Sequence, residues 1–98
     1  MKNGEINVRI PQITSLQTAI RLFYERTELN NSDIEQLFGK LSSATVSRLK
    51  NKARQRMVEL GTPAWNSNCV NTRVSYEAWG LDIQDLESRY KKLKELAV

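Results

Sequence analysis

The sequence predicts an all-α fold, with three helices forming a core in the N-terminal half and a helical extension at the C-terminus. Three observations predict it. Apolar residues recur at three- and four-residue spacing in successive stretches, as they do on helices with one buried face. Glycine, proline and Asn/Ser clusters fall between those stretches, where helices start and stop. Finally, 98 residues suffice for one small core and leave little room for a deep catalytic cleft.

Taken in order, residues 1–13 are polar and read as an arm, since Pro11 disfavours helix at Ile10. Thr14 or Ser15 then caps a helix over 15–27, with Leu16, Ala19, Ile20 and Phe23 at helical spacing. Leu29-Asn30-Asn31-Ser32 is turn chemistry, and Asn31 or Ser32 caps a second helix over 32–38. Ile34, Leu37 and Phe38 form its apolar face, and Gly39 ends it. Ser42 or Ser43 caps a third helix over 43–59, whose inward stripe is Val46, Leu49, Ala53 and Met57. Gly61 and Pro63 stop it, which closes a core spanning 14–60.

Residues 61–80 read as a loop, with Trp65 anchored in the core, followed by a short helix from Asn71-Thr72 to Gly80. A strand or wing over 69–77 is the alternative, because those residues also alternate at period two. Asp82 caps a last helix over 83–96, with Asp85 placed to complete a capping box. Its seam of Ile83, Leu86, Tyr90, Leu93 and Leu96 or Ala97 spans two heptads. The whole of 1–98 reads as one domain, with 81–98 as its C-terminal helix.

Composition excludes several functions. There is no histidine, so His-based triads and His metal sites are absent. The single Cys69 builds neither a zinc site nor an internal disulfide, which fits a reducing compartment. Phe38-Gly39-Lys40 resembles the end of a phosphate-binding loop, but no glycine stands five residues earlier. The acids at 82, 85 and 87 sit where helix capping accounts for them. No enzyme activity and no cofactor are implied. No apolar run is long enough to span a bilayer and no signal-peptide core is present, so a cytoplasmic, non-membrane protein is expected.

Charge is the informative property. The net charge is +4, yet Lys40, Arg48, Lys50, Lys52, Arg54 and Arg56 lie in a segment, 36–58, that holds no acid. The flanking parts are slightly acidic, so a polyanion would meet a focused patch. A basic run of this kind can also be a solvated helix face without a partner.

The residues around the patch favour a partner. Residues 33–53, DIEQLFGKLSSATVSRLKNKA, resemble the helix-turn-helix of bacterial and phage DNA-binding regulators. The shared pattern is a short helix closed by Gly39, a tight turn, and a capped helix reading Ser42-Ser43-Ala44-Thr45-Val46-Ser47-Arg48. Two departures stand out. Lys40-Leu41 puts two residues between glycine and capping serine where one is usual, and Glu35 occupies a position where small residues are usual. The resemblance implies a helix-turn-helix core whose third helix enters the major groove.

In that frame Ser43, Ala44, Thr45, Ser47, Arg48 and Asn51 are the base-reading candidates, with Arg48 suited to a bidentate contact with guanine. Lys40, Ser42, Lys50, Lys52, Arg54 and Arg56 are the phosphate-contacting candidates. Double-stranded DNA is the expected partner, and transcriptional regulation the expected role. A homodimer through residues 81–97 would place two reading helices on neighbouring half-sites. The rival readings are RNA binding and a helical protein-interaction module that uses the last helix.

Overall fold

A computed structural model describes residues 9–97. Its elements run α1 (Leu16–Glu25), β1 (Glu28–Leu29), α2 (Asn31–Phe38), α3 (Ser43–Leu60), β2 (Val70–Asn71), α4 (Thr72–Ala78) and α5 (Ile83–Leu96). The architecture is mostly helical, as expected. Most of the N-terminal arm, residues 1–8, lies outside the described residues.

Side-chain caps set the helix starts. Ser15 Oγ accepts the Thr18 N–H at 2.9 Å, and Ser42 Oγ accepts the Thr45 N–H at 3.2 Å. Asn71 Oδ1 caps α4 through the Val74 N–H, and Asp82 Oδ1 caps α5 through the Gln84 N–H. The second helix starts a residue early because Asn30 is its cap, in place of Asn31 or Ser32. Asn30 Oδ1 takes the Asp33 N–H at 2.8 Å, and Asp33 Oδ2 takes the Asn30 N–H at 3.0 Å, a complete capping box. No such box closes at Asp82, where the Asp85 carboxylate instead pairs with Arg89 one turn on.

The helix ends differ in kind. Gly61 is left-handed (φ 70°, ψ 26°), and the Thr62 N–H reaches back to the Met57 carbonyl at 2.8 Å. Gly39 has φ 89° but ψ −176°, an extended conformation open essentially to glycine alone. The last carbonyls of α2 are satisfied from outside the helix, by Thr14. Its N–H donates to Leu37 O and its hydroxyl to Gln36 O, each at 2.8 Å. The longer turn at Lys40-Leu41 is accommodated by exposing Lys40 and packing Leu41 on the core.

The sequence suggested a three-helix core with an extension, but the packing binds all five helices together. The most extensive helix pairs are α3 with α4 and α1 with α5, and α2 meets α3 less extensively than either. The short α4 acts as the bolt. The Tyr76 hydroxyl donates to Ala19 O in α1, and Trp79 Nε1 donates to Leu49 O in α3. Phe38 of α2 meets the Trp79 ring edge-on at 5.5 Å. Burying each of these aromatic side chains contributes roughly 2–3 kcal/mol.

The short helix expected after Asn71 is present as α4, and the strand alternative survives only at Val70–Asn71, which pairs antiparallel with Glu28–Leu29 and staples the α1–α2 turn to the α3–α4 connection. One further expectation is corrected. Trp65 is not a core anchor, because it is 83% exposed. Along α5, Leu86 is buried and Ile83 packs on the core, whereas Leu93 and Leu96 are exposed. Among the described residues no helix is long and apolar enough to cross a membrane.

Candidate nucleic-acid interface

The third helix is two-faced. Val46, Leu49, Ala53 and Met57 are buried, as their spacing predicts. The opposite face carries Ser43, Ala44, Ser47, Arg48 and Asn51, all exposed. At 100° per residue these five span a contiguous arc from Ser43 to Arg48, with Asn51 near its middle. Ser43, Ser47, Arg48 and Asn51 make no side-chain hydrogen bond or ion pair among the described residues. Thr45 is different. Its hydroxyl lies 2.9 Å from Ser42 Oγ, so both hydroxyls are occupied in the cap that fixes where the helix begins.

The six cations, uniform in sequence, separate into distinct states. Lys40 and Arg48 are exposed. Lys50 is buried, against the expectation that it grips phosphate. Its ammonium donates to Asn31 Oδ1 at 3.0 Å and to Asn68 O at 2.7 Å, joining α2 to the loop after α3. Burial, reinforced by the nearby Arg54 charge, holds its pKa below the usual lysine value.

Arg54 Nη2 donates to Ser67 O at 2.9 Å, a neutral acceptor that leaves the guanidinium charge uncancelled. Arg56 is clamped between Glu77 Oε2 at 2.6 Å and Glu59 Oε1 at 3.2 Å, and those hydrogen bonds raise its already high pKa. Its charge is therefore neutralised locally. Lys52 is partly buried and already engaged with neighbouring groups.

Acids absent from the segment in sequence thus return in space. Glu35 is another. It borders the groove between α2 and α3 together with Ser43, Ser47, Asn51 and Arg54. That groove has Leu41 and Val46 on its floor side and opens beside the exposed face of α3. Such an arrangement presents hydroxyls, an amide and a guanidinium on a rigid helix, the donor set that base edges and phosphates accept.

Trp65, expected in the core, is instead exposed on the loop after α3. A tryptophan in an uncharged, polar loop has no periodic apolar neighbours to bury it with.

No protein-family model matches the chain, and neither the curated proteins nor the solved structures contain a match.

Proposed function

We propose that the protein binds double-stranded DNA in a sequence-directed way, with α3 entering the major groove. The observation that carries this is the face Ser43–Ala44–Ser47–Arg48–Asn51. It is exposed, made of small and donor side chains, and backed by a buried stripe that fixes its orientation. Arg48 and Asn51 are the base readers, with Ser43, Ala44 and Ser47 permitting close approach. Lys40 and Arg54 flank that face as phosphate contacts. Lys50 and Arg56 are framework residues, since burial and the paired glutamates occupy them. Regulation of transcription is the role that such binding best fits.

The test is binding to duplex DNA across a salt series. Three available cations, Lys40, Arg48 and Arg54, give a slope of log K against log salt of about −2.7. A flat response would remove the DNA reading.

A further inference from the structure

Resting on the DNA reading, we propose that Trp65 is a second DNA contact, an indole held beside the major-groove helix to lie against the sugar and base surface of the same duplex. Tryptophan is seldom left in water, yet this one is 83% exposed. It sits on a loop whose backbone is fixed at several points. The Trp65 N–H donates to Glu28 Oε2 at 2.8 Å, and the Asn68 N–H donates to Asn66 Oδ1 at 2.9 Å. Pro63 further stiffens the approach. The backbone is thus anchored while the ring is unburied, so little ordering entropy opposes its use in binding.

The anchors also say what the loop lies next to. Arg54 holds the carbonyl of Ser67, and Lys50 holds that of Asn68. Both cations sit on the Ser43–Ser47 edge of α3, so the loop flanks the proposed reading face at its C-terminal half. Residues 60–72 contain no acid, the Glu28 carboxylate is occupied by the Trp65 N–H, and Asn66, Ser67 and Asn68 follow the indole along the loop. An exposed apolar ring on a loop held by Arg54 and followed by amide side chains complements a duplex, which offers phosphate oxygens beside apolar sugar faces and thymine methyls. One helix reads few base pairs, and a flanking contact supplies the added grip.

The experiment compares the wild-type chain with Trp65→Ala and Trp65→Phe for duplex binding, while following indole emission. Wild-type binding should quench the emission of the exposed tryptophan, a signal Trp65→Phe lacks because Trp79 is buried. Trp65→Ala should weaken binding about ten-fold with the salt slope unchanged, since apolar contact but no charge is removed, and Trp65→Phe should keep most of the affinity. Thermal unfolding of both variants should match wild type. If the wild-type chain binds duplex but Trp65→Ala binds equally well, or the emission does not respond, this inference is overturned and the DNA reading stands. Absence of wild-type binding overturns both.

Discussion

The division of α3 cations into available and occupied makes Arg48→Ala and Lys50→Met a decisive pair. The two residues are neighbours in a basic run, and from sequence alone either could touch DNA. Arg48 is exposed and unpaired among the described residues, whereas the Lys50 ammonium is committed to Asn31 and Asn68. A bidentate arginine–guanine contact is worth about 1–3 kcal/mol of discrimination, or roughly 5- to 150-fold. Arg48→Ala should therefore lower affinity for a preferred duplex by that factor, and reduce affinity for random duplex much less. It should also make the salt slope shallower by about 0.9.

Lys50→Met should leave affinity and slope unchanged while lowering unfolding stability. Removing the ammonium strips two acceptors of their donor, but it also removes a desolvation cost, for a net loss of about 1–2 kcal/mol. Fluorescence anisotropy over a salt series, with urea unfolding alongside, measures both effects. Equal slope changes in the two variants would refute the assignment of Lys50 to the framework.

Other expectations concern the scaffold. Burial, and secondarily the Asp33 charge, raise the Tyr76 pKa well above its ordinary value of 10.0. The unfolded chain therefore loses this proton first, so Tyr76 stabilises the fold fully below pH 10 and progressively less above it. Alkaline unfolding curves of wild type and Tyr76→Phe should converge as pH rises past 10, and parallel curves would count against it. The Ser75 hydroxyl is buried without a hydrogen-bond partner among the described residues. Ser75→Ala should stabilise by about 1 kcal/mol in urea unfolding, and a loss of similar size would mean the hydroxyl is satisfied. Leu93 and Leu96 alone offer far less than the roughly 800 Å² per partner of a stable interface, because α1 has taken the inner part of the seam. Sedimentation should give an 11.3 kDa monomer at low micromolar concentration, and a dimer would restore the seam to an interface.

Features with local causes were legible in the sequence. The caps at Ser15, Ser42, Asn71 and Asp82 follow from side chains reaching N–H groups two or three residues on. The stop at Gly61 and the buried stripe of α3 are equally local. What escaped depends on distant pairing. Lys50 turns inward because Asn68 returns beside it, and Arg56 is neutralised by Glu77, 21 residues away. Trp65 looked like core because its hydrophobicity is local information, whereas its exposure follows from how Glu28 and Arg54 hold the loop. The exposed face of α3, Ser43 to Asn51, was visible, since its exposure is the complement of a periodic stripe.

The most direct test of the central claim is titration of ¹⁵N-labelled protein with duplex DNA, following each backbone amide. The account predicts shifts concentrated at Ser43–Asn51, with a second set at the 64–68 loop. Shifts confined to 83–96, or no shifts at all, would contradict it.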